Sequence, residues 1–235
     1  EAAIDVQIAL TEKGKANLKK DFPNGIYIEG YVTLHPVQDG EVTLSYPFMG
    51  FFGDWQALPV FDSDIYDDET ASICETQIGQ FRNSDGGGYI LGHNDYVDGA
   101  EAYNAEKIAI KGNESGKNVT AAVSLLRNAE KLTFSVDDSE GNTVYSESLS
   151  KVSKTYHSSE GFYTPMAAKG WEPFDSWNAP LDDGNYVYKI TASVGGREET
   201  KAFPIVIDSV APEVISSKIE GAAWIVTVHD NHYIQ

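Results

Sequence analysis

The sequence is poor in cysteine, in basic residues and in long apolar runs, and each shortage excludes a class of protein. The single cysteine, Cys74, excludes an internal disulfide framework, a zinc ribbon and a CxxC redox motif. No apolar run approaches the roughly 20 residues of a membrane-spanning helix. Lys and Arg number 17 against 36 Asp and Glu, and the resulting net charge of −19 repels nucleic acid and anionic lipid.

The apolar content is high enough for a folded protein. Hydrophobic residues make up 41% of the 235 residues and aromatic residues 11%, far more than a disordered acidic chain contains. The first residues lack the basic start and apolar centre of a signal peptide. The chain does not begin with Met, and its last residues, WIVTVHDNHYIQ, stop within or just after a strand-like run. We therefore expect a segment of a longer polypeptide, with any sorting signal outside it.

Alternation of apolar and polar residues, which is typical of β-strands, extends over most of the chain. Helical periodicity is limited to residues 11–22, where Thr11 is a suitable N-cap. In the first part of the chain, alternation predicts three strands of one antiparallel sheet, at residues 4–10, 25–34 and 41–48. Residues 49–104 are rich in Gly, Asp and aromatic residues, with short strand candidates such as 88–91, and predict a long decorated loop region.

Regular alternation resumes at residues 106–110 and continues through the second half, at the spacing expected of a β-sandwich. The predicted strands are residues 119–126, 131–136, 143–148, 184–192 and 201–207. The turns VDDSEG and GG at Gly195 and Gly196 suit hairpins, since glycine adopts positive φ readily. A further hairpin is predicted at residues 215–220 and 223–228.

These patterns predict an all-β fold of tandem fibronectin III or immunoglobulin-like β-sandwiches, one of which is decorated and loop-rich. Polar connections, KGNESGKN and IDSVAPEV, mark the predicted boundaries. The decorated module is expected at residues 1–112, a second sandwich at 113–209, and the start of a truncated third β-module at 210–235.

The runs GIYIEGYVTLHP and PFMGFFGDW resemble the fibronectin type III-like module that follows the protease domain in cell-envelope subtilases such as the lactocepins. The runs RNAEKLTFSVDDSEGNTVY, DGNYVYKITA and FPIVIDSVAPEV continue the resemblance in the same order. The resemblance implies a non-catalytic scaffold or stalk of a large, secreted, cell-wall-associated subtilisin-like serine endopeptidase. It also implies an extracellular location in the bacterial cell envelope.

The subtilase motifs Asp-Ser/Thr-Gly, His-Gly-Thr-His and Gly-Thr-Ser-Met-Ala are absent from the chain. We therefore expect no catalytic residue and no certain cofactor here, although the parent is expected to be a protease. The expected partners are the catalytic domain of the same parent and a protein substrate or wall glycan, with neither nucleic acid nor membrane insertion. The alternative function is a carbohydrate-binding or adhesin-type module of a bacterial surface protein.

The acidic run FDSDIYDDE supplies several loop carboxylates, which are the ligands that calcium prefers. The candidate ligands are Asp62, Asp64, Asp67 and Asp68, with Glu69 beside them. The spacing is not that of an EF-hand, and the alternative is a solvated acidic loop. A second, weaker candidate comprises Asn94, Asp95 and Asp98.

Two sets of aromatic residues are candidates for contacts with a partner. The first set, expected to meet the catalytic domain, comprises Phe51, Phe52, Trp55 and Phe61. The second set, expected to stack on glycan rings under the alternative function, comprises Trp171 and Trp177, with Tyr163 and Phe174 nearby. Burial of these side chains in the sandwich core is the competing interpretation, and their solvent exposure distinguishes the two.

Overall fold

A computed structural model of the chain describes residues 4–38, 40–67, 69–82, 88–112, 117–156 and 167–232. Contacts between residues divide the chain into two units, residues 1–58 and 59–235. Each unit is described by itself.

In the described part of the first unit, the helix α1 (Glu12–Asp21) begins where the sequence predicts. The hydroxyl of Thr11 accepts a hydrogen bond from the backbone N–H of Gly14 at 3.1 Å, which satisfies one of the free donors of the first turn. Glu12 in the first turn and two lysines in the last turn complement the helix dipole. The predicted helix is confirmed.

A two-stranded antiparallel sheet follows, formed by β1 (Ile26–Leu34) and β2 (Leu44–Phe52). Ile26 lies opposite Phe52, and Leu34 lies opposite Leu44. Two of the three strands predicted for this part are thus confirmed. The third prediction is wrong, because residues 4–10 pair with no strand of the described structure. Alternation suits a strand but does not supply the partner that a strand requires.

The second unit is built from two facing sheets and a separate hairpin. Its first strands are β3 (Gln77–Arg82), β4 (Gly88–Ile90), β5 (Ala109–Ile110), β6 (Lys117–Val123), β7 (Ala129–Asp137) and β8 (Thr143–Val152). The remaining strands are β9 (Ala167–Trp171), β10 (Gly184–Val194), β11 (Arg197–Ile207), β12 (Glu213–Glu220) and β13 (Ala223–His229). One sheet has the order β4-β3-β6-β9 and the other β5-β11-β10-β7-β8.

The core lies between these two sheets. The four-stranded sheet contributes Ile78, Val119, Ala121, Val123 and Trp171, and the five-stranded sheet contributes Leu132, Phe134, Val136, Tyr188, Ile190, Ala192, Phe203, Ile205 and Ile207. Alternate residues of β10 are buried, as expected for a strand with one face on a core. The all-β sandwich that the sequence predicts is confirmed.

Strand pairing crosses the boundary that the sequence places at residue 112. β3 pairs with β6 along its length, and β5 pairs in parallel with the end of β11. Residues 59–112, predicted to belong to a first module, therefore share the sheets of the second sandwich. The polar composition that predicts a linker near residue 112 is equally suitable for a connection between strands of one sandwich.

Beyond the sandwich, β12 and β13 form the hairpin that the sequence predicts, with Gly221 in the turn at a φ of 64°. All residues of β12 are exposed to solvent. That this hairpin begins a third module stays a prediction.

Candidate functional site

The acidic segment after residue 58 is held in place by its own carboxylates. Asp62 is 4% exposed, and its carboxylate accepts hydrogen bonds from the backbone N–H groups of Ser72 and Ile73, both at 2.8 Å. The N–H groups of Ser63 and Cys74 also donate to it, at 3.1 and 3.3 Å. Asp62 therefore holds the loop of residues 72–74 against the segment that carries it.

The neighbouring carboxylates also have donors from the protein. The Nζ of Lys201 lies 2.6 Å from Oδ2 of Asp64, and this pair joins β11 to the acidic segment. The carboxylate of Asp67 accepts hydrogen bonds from the N–H groups of Asp64 and Glu69, both at 3.0 Å. These interactions give the carboxylates a structural role within the loop.

The calcium prediction is not tested by this arrangement. Within the described ranges, no group of three or more His, Cys, Asp or Glu side chains is arranged to hold a metal ion. Asp68 lies outside the described residues. Calcium binding at Asp62, Asp64, Asp67 and Asp68 stays a prediction.

The aromatic set predicted to contact the catalytic domain is divided between the two units. Phe51 and Trp55 form a cluster with Tyr27, with ring centroids 5.0–5.9 Å apart in edge-to-face geometry. Phe52 pairs with Ile26, on the other face of the hairpin. Phe61 is 5% exposed, so its prediction as part of an exposed cluster is wrong.

Strand pairing explains both why Phe61 is buried and why Tyr27 belongs to the cluster with Phe51 and Trp55. Phe61 forms an isolated bridge with Leu125 and packs in the core of the second unit. Tyr27 was not among the predicted site residues, although it lies directly opposite Phe51 in the hairpin. The alternation of β1 placed Tyr27 on one face, but only the register identifies Phe51 as its neighbour.

The two tryptophans predicted to stack on glycan have opposite environments. Trp171 is 2% exposed, and its Nε1 donates a hydrogen bond to the carbonyl oxygen of Phe174 at 3.0 Å. The prediction of Trp171 as a stacking platform is therefore wrong, because pairing with Val119 directs it into the core. Trp177 is 86% exposed. Tyr163 lies outside the described residues, and Phe174 is half-buried.

The loop that carries Trp177 is fixed by hydrogen bonds. A carboxylate oxygen of Asp175 accepts from the N–H groups of Trp177 and Ala179, at 2.9 and 2.8 Å. The N–H of Ser176 donates to the carbonyl oxygen of Val144 at 3.0 Å, which ties the loop to β8. The exposed indole is thus presented by a well-defined turn, with Asn178 at a positive φ of 65°.

A polar cleft of about 560 Å³ lies between the loop around Asn94 and the end of the C-terminal hairpin. His93 Nδ1 lies 2.9 Å from Asp95 Oδ1, and His232 Nδ1 lies 2.9 Å from Asp208 Oδ2. Burial raises the pKa of Asp208, but hydrogen bonds from Val210 and His232 lower it more, so that its pKa lies below the ordinary value. Two imidazoles therefore have carboxylate partners at this cleft.

The buried tyrosine hydroxyls belong to the framework of the fold. The hydroxyl of Tyr66 shares its one proton between the carbonyl oxygens of Ile78 and Leu91, at 3.2 and 2.9 Å, and burial raises the pKa of this hydroxyl. This side chain joins the acidic segment to β3 and to the end of β4. Burial likewise raises the pKa of Tyr188, within the core.

The sequence relatives of this chain are bacterial proteinases. A PI-type proteinase of Lactococcus lactis subsp. cremoris is 28% identical over 222 residues, which cover 87% of this chain and 12% of that protein. A PII-type proteinase of Lacticaseibacillus paracasei is also 28% identical over 222 residues. A C5a peptidase of Streptococcus pyogenes is 25% identical over 267 residues, which cover 86% of this chain and 22% of that protein.

These relatives confirm the resemblance to cell-envelope subtilisin-like proteinases that the sequence indicates. The chain spans only 11% to 22% of the length of the proteinases and peptidases it matches. No family model matches the chain. Among the described residues, no helix is long and apolar enough to cross a lipid bilayer.

Two solved structures share a weak likeness with the chain. FlgD from Pseudomonas aeruginosa has a TM-score of 0.31 and 14% identity over 52% of this chain and 81% of its own. Latent PorU from Porphyromonas gingivalis has a TM-score of 0.32 and 11% identity over 70% of this chain and 11% of its own. Both TM-scores are too low to define a shared fold.

Proposed function

We propose that residues 1–235 are a non-catalytic scaffold of a larger, secreted, wall-associated subtilisin-like serine endopeptidase. In this role the chain spaces the catalytic domain from the cell wall and supplies surfaces for contact with it. The observation that carries the proposal is the alignment with the lactococcal proteinase, which covers 87% of this chain but only 12% of that protein. A segment of that proportion is one part of a multidomain polypeptide.

The construction of the second unit supports a spacer role. Its two sheets enclose a continuous core, so the sandwich has the buried apolar surface that an autonomous domain needs. Its acidic segment is fixed to the sandwich by Asp62 and by the Lys201–Asp64 pair. A folded sandwich holds its two ends at a fixed separation, unlike a flexible coil whose length fluctuates.

The proposal is tested on the native polypeptide. An antibody raised against residues 59–235 should detect, in the cell-envelope fraction, a band much larger than 25.7 kDa. This band should react with a fluorophosphonate probe for serine hydrolases, and an excess of a serine-protease inhibitor should block the labelling. A band that carries the antibody epitope but stays unlabelled under these conditions would contradict the proposal.

A second candidate function, carbohydrate binding, is favoured by Trp177. Its indole is 86% exposed on a turn fixed by Asp175, and an exposed, pre-organised aromatic face is what sugar rings stack on. Wall polysaccharide binding by the isolated chain should then fall at least about tenfold in Trp177→Ala. The matched control is Trp224→Ala, because Trp224 is also exposed, at 72%, but lies on the regular strand β13. Equal binding by the two variants would remove this candidate.

A further inference from the structure

The C-terminal hairpin is attached to the sandwich at its base. Within the described part of the chain, its strands β12 and β13 pair only with each other. Every residue of β12 is exposed, and on β13 only Val226 is half-buried. A region with few buried contacts moves readily unless other interactions fix it. The contacts at the two ends of the hairpin therefore control its position.

Asp208 lies where the chain leaves the sandwich and enters the hairpin. It directly follows β11, and its backbone N–H donates a hydrogen bond to the carbonyl oxygen of Ile110 at 2.9 Å. Its side chain is only 9% exposed. The Oδ1 atom of this side chain accepts a hydrogen bond from the N–H of Val210 at 2.9 Å. Asp208 thus fixes the start of the connection to the end of β11.

The same carboxylate binds the segment that leaves the hairpin. Its Oδ2 atom lies 2.9 Å from Nδ1 of His232, and Nδ2 of Asn231 donates to Oδ1 at 3.4 Å. The N–H of His232 donates to Oδ1 of Asp230 at 2.9 Å, which shapes the turn after β13. One mostly buried carboxylate therefore joins both ends of the hairpin to the sandwich.

We propose that Asp208 and His232 form a proton-dependent latch, which holds the hairpin firmly at the end of the sandwich when His232 is protonated and weakly when it is neutral. The latch consists of residues of this chain alone and is independent of the proposed protease parent. When the latch is open, the hairpin stays joined to the sandwich through the connection at residues 209–212.

The chemistry of the pair determines the direction of the pH response. The charge of histidine changes between about pH 5 and 8, and Asp208 stays ionised in that range because its pKa is lowered. In acid, the contact joins an imidazolium to a carboxylate and combines a hydrogen bond with Coulomb attraction. At higher pH, the neutral imidazole keeps the hydrogen bond but loses that attraction. The latch therefore weakens as the pH rises.

Other charged or titratable groups surround the latch. On the sandwich side, Oδ1 of Asp183 accepts a hydrogen bond from the N–H of Ser209 at 3.0 Å. The groups that line the cleft of about 560 Å³ together with His232 are His93, Asp95, Glu101, Lys107 and Asp230. The carboxylates attract a protonated His232, whereas Lys107 repels it. His93 changes its charge in the same pH range, so the response of His232 must be distinguished from that of His93.

Residual dipolar couplings, measured by NMR on the 235-residue chain, test the latch. A hairpin that is held firmly shares the alignment of the sandwich, whereas a loosely held hairpin averages its couplings toward zero. From about pH 5.5 to about pH 8, the couplings of β12 and β13 should fall by about twofold or more relative to those of β10 and β11. Couplings of equal relative size at the two pH values would overturn the proposal.

His232→Gln identifies the group that responds to pH. Glutamine retains a side-chain hydrogen-bond donor but gains no charge in acid, so the couplings of the hairpin should be low at both pH values. Asp208→Asn removes the negative charge and should also give low couplings at both. Wild-type chemical shifts in β10 and β11 show that each variant is folded. A wild-type pH response in a folded His232→Gln chain would overturn the proposal.

Two other histidines provide matched controls. His229 lies on β13 opposite Glu213, three residues before His232, and His93 lines the same cleft. His229→Gln and His93→Gln should both keep the pH response of the wild type, because both variants retain the contact between Asp208 and His232. Loss of the response in either control, with the sandwich still folded, would contradict the assignment to His232.

Discussion

The ammonium group of Lys201 lies 2.6 Å from a carboxylate oxygen of Asp64, and this ion pair joins two segments that are 137 residues apart in sequence. The side chains are only 19% and 15% exposed. Removal of one member would leave a mostly buried charge without its partner, which costs more than the loss of an exposed pair. The contact therefore determines how firmly the acidic segment is attached to β11.

Replacing Lys201 by methionine should lower the free energy of unfolding by about 2–4 kcal/mol, because Asp64 would lose its counter-charge. Asp64→Asn in the same chain should restore part of the loss, since residue 64 then carries no charge, although Asp67 still loses its weaker contact with Lys201 at 3.9 Å. The matched control is Lys218→Met, whose ion pair with Glu220 is 62% and 60% exposed and should contribute less than about 1 kcal/mol. Urea unfolding measures all three, and equal effects of Lys201→Met and Lys218→Met would contradict the role given to Lys201.

Replacing Asp62 by alanine should destabilise the second unit by about 2–4 kcal/mol, because several part-buried N–H groups lose their acceptor together. Asp62→Asn keeps one carbonyl oxygen as an acceptor and should cost less. Thermal unfolding measures both variants in buffer that contains a calcium chelator, so that any metal effect is absent. A wild-type melting temperature for Asp62→Ala under these conditions would show that the loop does not depend on this carboxylate.

Asp137 should contribute to stability in a pH-dependent manner. Burial raises its pKa, but hydrogen bonds from Lys189 and Thr143 lower it more, and the net pKa in the folded state lies below the ordinary value of 3.8. Because the pKa of Asp137 is lower in the folded state than in the unfolded state, its full contribution to the free energy of unfolding is present above pH 3.8. This contribution is lost as the pH falls through the pKa of the folded state. The difference in the free energy of unfolding between wild type and Asp137→Asn should therefore become smaller as the pH falls below 3.8.

Urea unfolding at a series of pH values measures this difference. Thr143→Val is the comparison variant, because it removes one donor to Asp137, at 2.7 Å, and keeps Lys189. The pH dependence of the free energy of unfolding of Thr143→Val should lie between that of wild type and that of Asp137→Asn. A constant difference between wild type and Asp137→Asn from neutral pH down to acid would contradict the lowered pKa.

Two glycines with similar backbone conformation should respond differently to substitution. Gly92 and Gly99 have φ values of 73° and 78°, and either alanine variant is strained by that conformation. At Gly92 an added Cβ would also lie 2.4 Å from the carbonyl oxygen of Asn104, whereas at Gly99 nothing lies within 4 Å. Gly99→Ala should cost about 1 kcal/mol and Gly92→Ala at least about 1 kcal/mol more. Equal melting temperatures would contradict the close approach at Asn104.

Local patterns predicted the elements of this fold well. Alternation located the strands of the five-stranded sheet, and Gly195 and Gly196 marked a hairpin turn whose φ values are 60° and 79°. Thr11 identified the start of the helix through its capping chemistry. Each of these signals depends on residues close in sequence, which is why the sequence alone contains them.

Long-range pairing was the part that the sequence did not reveal. β3 lies within a segment rich in loop-forming residues, and its assignment depends on pairing with β6, about 40 residues later. Alternation at residues 106–110 indicates a strand there but does not show that β5 pairs in parallel with β11, a contact of two residue pairs. The predicted domain boundary at residue 112 depended on composition, which does not distinguish a linker from a connection within one sandwich.

At the candidate sites, too, the sequence did not reveal the long-range contacts that determine the role of each residue. A run of carboxylates is equally compatible with metal ligands and with acceptors for backbone N–H groups, and only the fold supplied the donors around Asp62. Trp171 and Trp177 occur in one aromatic-rich segment, but pairing with Val119 buries the first, and the turn at Asp175 exposes the second. Residue type thus identified the candidates, and sheet register determined their roles.

The assignment of this segment to a serine endopeptidase is tested most directly by locating the reactive serine of the native polypeptide that contains it. The purified polypeptide is labelled with a fluorophosphonate probe and digested, and the labelled peptide is identified by mass spectrometry. We expect one labelled serine outside residues 1–235 and no labelling of the isolated 235-residue chain. A labelled serine within residues 1–235, or a parent polypeptide that carries no label while a control serine protease is labelled, would contradict it.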